Sequence, residues 1–161
     1  MARVVRQAKQ QTEPEPQASG NRLLWILGMV FMLVACIASG VLALKQLGWV
    51  GESLPGCGPQ SGCGAVTNSV WGKIPGIMWP VSYVGFSYFL GMLIAWATTA
   101  RGGIPDSLRW VARIGALASF GYIVVMISLQ SFCMYCFVAH LANFGFWIVL
   151  ETMPRPKSDP S

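Results

Sequence analysis

The chain has 161 residues, of which 54% are hydrophobic and 11% charged, and its net charge is +5. A composition this apolar is typical of one compact integral membrane domain. The basic residues form no stripe interleaved with aromatic side chains, which excludes a nucleic-acid-binding surface.

Long apolar segments predict four membrane-spanning helices. The uncharged runs cover residues 23–44, 74–100 and 114–150, which are 22, 27 and 37 residues long. Because about 20 apolar residues cross the hydrocarbon core, the first two runs hold one span each and the third contributes to two. The polar cluster Ser128-Leu129-Gln130-Ser131 divides the third run. We therefore expect an all-α four-helix membrane bundle with spans near 23–45, 76–100, 108–130 and 132–151.

The ends of the chain and its charges predict its orientation. Residues 1–21 and 152–161 are polar and read as disordered cytoplasmic tails around one membrane domain at 22–151. Both termini lie on one side of four spans, and that side holds nine Lys and Arg residues against Lys45 and Lys73 on the other. The positive-inside rule then places the loop after span one in the periplasm of a bacterial cytoplasmic membrane or, alternatively, in the endoplasmic reticulum lumen.

That outer loop carries Cys57 and Cys63 in a segment rich in glycine. A structural disulfide that closes so short a loop stabilises a fold only weakly. We therefore favour a redox-active pair that shuttles electrons over a purely structural disulfide. Residues 63–72 predict a short half-helix that roofs a pocket between the spans. Asn68 and Ser69 on this half-helix are candidates to hydrogen-bond a ligand carbonyl, although such residues more commonly serve as turn residues.

The sequence Cys133-x-x-Cys136 opens the fourth span. Residues three apart on a helix share a face, and the first turn of a helix favours a thiolate, the attacking species in disulfide exchange. Haem attachment is excluded because Phe137 stands where the motif requires histidine. A zinc site pooling the four cysteines stays open, but the five residues between the loop cysteines depart from the usual spacing, so we favour redox chemistry and assign no metal ligand.

Three further residues inside the spans bear on function. His140, the only histidine, follows Cys136 by one helical turn. Ionisable residues inside spans are functional candidates. Two interpretations of His140 stand side by side: its imidazole donates a hydrogen bond to a quinone oxygen or moves a proton, or it only satisfies a hydrogen bond in the bundle core. Asn143 is a weaker candidate of the same kind. Cys36, alone in span one, reads as an apolar filler.

This pattern resembles the vitamin K epoxide reductase family in its compact four-helix form. The resemblance covers most of residues 23–151 and depends on the loop pair Cys57 and Cys63, on Ser69, on Trp71-Gly72 and on Cys133-x-x-Cys136. It implies a quinone (ubiquinone, menaquinone or phylloquinone-like) near Cys136, beneath a half-helix that carries Ser69. It also implies that Cys57 and Cys63 are the shuttle pair and that Cys63 exchanges with Cys133.

The resemblance has two departures that bear on function. His140 stands where vertebrate members have a tyrosine, and span two has no counterpart of their quinone-contacting asparagine. The resemblance therefore favours quinone-coupled disulfide bond formation, as in bacterial members, over reduction of vitamin K quinone or epoxide. The chain has no fused thioredoxin domain, so we expect a separate thioredoxin-fold thiol oxidase as electron donor.

Two other interpretations remain. The disulfide bond formation protein B family has the same function and helix count, but there the C-x-x-C belongs to the first outer loop, the reverse of the order in this chain. A non-catalytic membrane protein whose cysteines hold zinc or structural disulfides is the alternative from a different class.

Overall fold

The computed structural model describes residues 16–50, 54–58, 61–74, 76–99 and 104–154, with side chains from Arg22 onward. Within these residues there are five α-helices and no strand. The helices are α1 (Pro16–Gln46), α2 (Gly62–Asn68), α3 (Val81–Thr99), α4 (Asp106–Ser128) and α5 (Met134–Thr152). All except α2 are long and apolar enough to cross a membrane. The predicted four-helix bundle with a short half-helix is confirmed.

Three helix boundaries differ from the prediction. The half-helix α2 ends at Asn68, and a separate 3₁₀ turn at Val70–Gly72 follows it. α3 begins at Val81 and not near residue 76, because Pro80 disfavours helical backbone at the residue before it and pairs with Lys73 in an isolated bridge. Between them the chain turns through Gly76 and Met78, both with positive φ. At the other end, α1 already begins at Pro16, inside the segment predicted as a tail. The rest of the predicted tails, residues 1–15 and most of 152–161, lies outside the described residues.

The bundle is held by close packing around α1. α1 packs against α3 and α5, and α5 also packs against α4. A Cβ at Gly28 would stand 2.7 Å from the ring of Trp96, and one at Gly145 equally close to Phe31. Small residues of this kind let helices approach in a bilayer, where van der Waals contact replaces the hydrophobic effect. The antiparallel contact of α1 with α5 brings the C-terminal end of α1 beside the N-terminal end of α5.

An arginine clamp joins α4 to α5 at the end of the bundle away from the cysteines. Arg109 is 3% exposed and donates to the carbonyl oxygens of Leu150 (2.9 Å) and Met153 (3.0 Å), which α5 itself leaves unpaired. Arg113 donates to both carboxylate oxygens of Glu151, at 2.7 and 3.1 Å. The clamp fixes the relative height of the two helices that carry most of the polar groups described below.

Candidate thiol site

The four paired cysteines meet in one buried cluster at one end of the bundle, hereafter the cysteine end. Cys57, Cys63 and Cys133 have no exposed surface, and Cys136 is partly buried beside them. Leu42, Val66 and Met126 complete the buried part of the cluster. Cys36 lies in the other hydrophobic cluster of the bundle, among the apolar residues of α1. The fold therefore joins two pairs that are distant in sequence and leaves the fifth cysteine out.

Cys57 and Cys63 form a disulfide, with their Cα atoms 4.9 Å apart. Cys63 lies in the first turn of α2, whose N-cap Ser61 accepts a hydrogen bond from the backbone of Gly64. The ammonium group of Lys45, at the end of α1, donates to the carbonyl oxygen of Cys57. The loop pair is thus anchored on one side by the half-helix and on the other by α1.

The half-helix approaches α5 through a glycine. A Cβ at Gly62 would stand 2.5 Å from the backbone nitrogen of Phe132 and closer still to its carbonyl oxygen. Only a residue without a side chain allows this backbone contact. Because Gly62 precedes Cys63 and Phe132 precedes Cys133, the contact brings the two cysteine pairs together.

Cys133 is the N-cap of α5, and its sulfur accepts a hydrogen bond from the backbone N–H of Cys136 at 3.3 Å. The pKa of the Cys133 thiol is lowered from its ordinary value, mainly by the side-chain hydrogen bond with Cys136. Further backbone N–H groups of the first turn and the positive charge of Lys45 lower this pKa too, against the opposite effect of burial. The helix start therefore favours a thiolate at Cys133, as the sequence predicts.

Cys136 lines a partly open cavity between the helices. Its walls are mostly apolar, and the half-helix roofs it through Val66 and Thr67. The polar residues on the walls include Ser39, Ser82, Tyr122 and His140. Cys136 is the one member of the four-cysteine cluster that lines this cavity.

His140 is held on two sides. Its Nδ1 lies 3.0 Å from the hydroxyl of Ser119, and its ring stacks on Tyr122 with centroids 5.4 Å apart. Ser119 also accepts a hydrogen bond from the amide of Asn143 at 2.9 Å. The sequence analysis does not single out Ser119 or Tyr122, although a polar residue inside an apolar span is the signal by which each could be found.

Asn68 and Ser69 do not line the cavity. Ser69 ends α2 and its hydroxyl donates to the carbonyl of Val66 at 2.8 Å, while Asn68 is exposed. Thr67 takes the roof position, but its hydroxyl donates to the carbonyl of Cys63 at 2.8 Å. A ligand contact of Asn68 or Ser69 stays a prediction.

In the part of the chain that the structure describes, no group of three His, Cys, Asp or Glu side chains is arranged to hold a metal ion.

A model of the vitamin K epoxide reductase family matches residues 25–150, a range that includes the four clustered cysteines and His140. No solved structure matches the chain.

Proposed function

The chain belongs to the vitamin K epoxide reductase family, and from this premise we propose that it oxidises a separate thioredoxin-fold thiol protein at the expense of a membrane quinone. Quinone-linked disulfide chemistry is the chemistry of the family, and four apolar helices make the chain a multi-pass membrane protein. What we propose beyond the family's chemistry is the direction of electron flow, the protein partner and the compartment.

One observation supports the proposal above all: the two cysteine pairs share a buried cluster, and Cys136 of that cluster lines the cavity. This arrangement supports a route for electrons. In the proposed route the loop pair Cys57 and Cys63 receives them from the protein partner, Cys133 takes them from the loop pair, and Cys136 passes them to the quinone. A purely structural disulfide needs no such order.

Electrons enter at the loop pair. The two thiols of the partner reduce the Cys57–Cys63 disulfide by two exchange steps, and the partner leaves with a new disulfide. The Cys63 thiolate then attacks the Cys133 sulfur of an oxidised Cys133–Cys136 pair. The Cys63–Cys133 bond forms as the Cys133–Cys136 bond breaks, and Cys136 leaves as a thiolate.

A second attack completes the transfer. The Cys57 thiolate attacks Cys63, which restores the loop disulfide and releases Cys133 as a thiolate. Two electrons have then moved to Cys133 and Cys136, which are left as two thiols beside the restored loop disulfide. Donors around Cys133 stabilise the thiolate released in this step.

The cavity residues fit a quinone. The walls are apolar, as a quinone ring requires, and the buried hydroxyl of Ser82 has no hydrogen-bond partner among the described residues. An unpaired buried hydroxyl is costly unless a ligand satisfies it. A bound quinone accepts two electrons and two protons. Ser82 and His140 would hold its oxygens, Cys136 would face it, and Cys133 is placed to close the disulfide with Cys136.

The proposed compartment depends on charge. Nine basic residues on the side of the termini against two on the other favour cysteines that face the periplasm of a bacterial cytoplasmic membrane, with the endoplasmic reticulum lumen as the alternative. The quinone is ubiquinone, menaquinone or a phylloquinone-like molecule. His140, which stands where vertebrate members have tyrosine, is the reason that we place disulfide formation ahead of epoxide reduction.

The test is quinone reduction by the purified protein in detergent, with dithiothreitol as electron donor. We expect turnover in the wild type and in Cys36→Ala, and none in Cys133→Ala or Cys136→Ala. Absence of turnover with ubiquinone, menaquinone and phylloquinone analogues, in a folded protein, would overturn the proposal.

The shuttle is tested separately. Cys57→Ala and Cys63→Ala should abolish oxidation of a reduced thioredoxin-fold protein but retain turnover with dithiothreitol, because a small dithiol reaches Cys133 and Cys136 directly. If the loop variants also lose turnover with dithiothreitol, the shuttle assignment is wrong.

A further inference from the structure

We propose that Ser119, Asn143 and Tyr88 are positioning residues that hold His140 in the tautomer with its proton on Nε2, so that His140 presents a hydrogen-bond donor to the cavity. The tautomer is a property of the chain alone. Its use, donation to a quinone carbonyl, rests on the function proposed above.

The four residues form a hydrogen-bonded row across three helices. The Tyr88 hydroxyl on α3 lies 3.4 Å from Asn143 Oδ1 on α5, and Asn143 Nδ2 lies 2.9 Å from Ser119 Oγ on α4. The row ends where Ser119 Oγ lies 3.0 Å from His140 Nδ1. Ser119 is 2% exposed and Asn143 is 1% exposed, so water does not compete for these bonds. In such surroundings each polar group depends on its protein partner.

The row can run in two directions, and the amide of Asn143 decides between them. With Oδ1 toward Tyr88, the phenol donates to the amide and Nδ2 donates to Ser119. The hydroxyl proton of Ser119 then has His140 Nδ1 as its acceptor among the described residues. Nδ1 accepts, and in a neutral imidazole the proton therefore sits on Nε2. A flipped amide would reverse every bond and put the proton on Nδ1.

The cavity shows why this direction matters. The two carbonyl oxygens of a quinone accept hydrogen bonds, so the walls must supply donors. The hydroxyl of Tyr122 donates to the carbonyl of Trp71 at 3.2 Å, and that of Ser39 donates to Ala35 at 2.8 Å. Both are therefore engaged elsewhere. Only the row that starts at Tyr88 leaves His140 as a donor; the reverse row would present a bare nitrogen.

The start of the row depends on a glycine. A Cβ at Gly115 on α4 would stand 2.5 Å from Cζ of Tyr88 and closer still to its hydroxyl. Glycine at this position lets the phenol lie across α4 and reach Asn143. Gly115→Ala therefore displaces Tyr88 without removing any polar group, which makes it a probe of the row that differs from deleting a hydroxyl.

The test uses the fact that His140 is the only histidine of the chain. Protein labelled with ¹⁵N-histidine and purified without a histidine tag gives the nitrogen signals of one imidazole, and their shifts distinguish protonated from bare nitrogens. We expect a protonated Nε2 and a bare Nδ1 in the wild type, with no quinone added. A protonated Nδ1 in the wild type, alone or together with Nε2, would overturn the proposal.

Variants test which residues hold the tautomer. Ser119→Ala and Gly115→Ala should give a mixture of tautomers. Ser128→Ala, which removes an exposed hydroxyl bonded within α4, should behave as the wild type. An unchanged tautomer in folded Ser119→Ala would overturn the role of the row. If neither Ser119→Ala nor Gly115→Ala folds, the tautomer of His140 is measured in Tyr88→Phe instead. An unchanged tautomer in that variant would show that Tyr88 does not hold His140 through the row.

A kinetic readout links the tautomer to its use. Ser119→Ala should raise the KM for quinone about tenfold, the effect of one weakened buried hydrogen bond, without changing the KM for dithiothreitol. The two proposals fail differently. If wild-type Nδ1 is bare but no quinone is turned over, the proposed function alone is wrong. If quinone is turned over but Nδ1 is protonated, the positioning role alone is wrong.

Discussion

Gly62 and Phe132 touch backbone to backbone, so closely that a Cβ at position 62 would stand 2.5 Å from the Phe132 nitrogen. The contact seats the half-helix α2 on the start of α5. A clash with backbone cannot be relieved by rotating a side chain, so the distance between the cysteine pairs depends on this glycine.

Gly62→Ala should therefore separate Cys63 from Cys133. We expect oxidation of a reduced thioredoxin-fold protein to fall about tenfold or more, since misplacement by about 1 Å costs on that scale. Turnover with dithiothreitol should persist. Gly58→Ala is the matched control, because a Cβ there meets nothing within 4 Å. Equal loss with both electron donors would show that the variant damages the fold and not the exchange step.

Lys45→Met should make thiol exchange at Cys133 require a higher pH. The pKa of Cys133 is lowered by the Cys136 hydrogen bond first and by the Lys45 charge among lesser causes. Removing a positive charge destabilises the thiolate, so this pKa rises toward its ordinary value and less thiolate exists at neutral pH. The measurement is the alkylation rate of Cys133 against pH, followed by mass spectrometry.

Lys73→Met is the control for Lys45→Met, because Lys73 is not among the groups that shift the pKa of Cys133. Its pH profile should match the wild type. If the Lys45→Met profile is also unchanged, Lys45 only tethers the Cys57 carbonyl.

Ser82→Ala should raise the KM for quinone about fivefold, because it removes a hydroxyl of the cavity wall that has no hydrogen-bond partner in the described part of the chain. For the same reason the melting temperature should not fall. Ser87→Ala on the exposed face of α3 controls for the substitution itself. An unchanged KM would mean that Ser82 plays no part in ligand binding.

Arg109→Met should destabilise the bundle by about 3 kcal/mol, since two buried hydrogen bonds from a charged donor to the end of α5 are lost. Arg113→Met removes a more exposed pair with Glu151 and should have a smaller effect. Thermal unfolding in detergent, followed by circular dichroism, compares the two. Equal effects would indicate that the buried carbonyls find other partners.

The bundle was predictable because the period and length of apolar runs are properties of the chain alone. Four spans, a half-helix in the outer loop and the helix-opening position of Cys133 were all expected, although the half-helix ends at Asn68 and a 3₁₀ turn at Val70–Gly72 follows it. The start of α3 was predicted too early, because the turn before Val81 depends on the pairing of Lys73 with Pro80. Hydropathy does not register that pairing.

The site divides in the same way. The sequence alone determined the membrane class, the two cysteine pairs and the position of Cys136 and His140 on one face of a helix. Each of these depends on composition or on local spacing along the chain. Tertiary structure decided which groups meet between helices: Gly62 against Phe132, Lys45 beside Cys57, and Ser119 and Asn143 behind His140. It also left Ser69 off the cavity wall, and it left the Ser82 hydroxyl on that wall without a hydrogen-bond partner among the described residues. Such contacts join residues distant along the chain, and only the packing of the helices sets them.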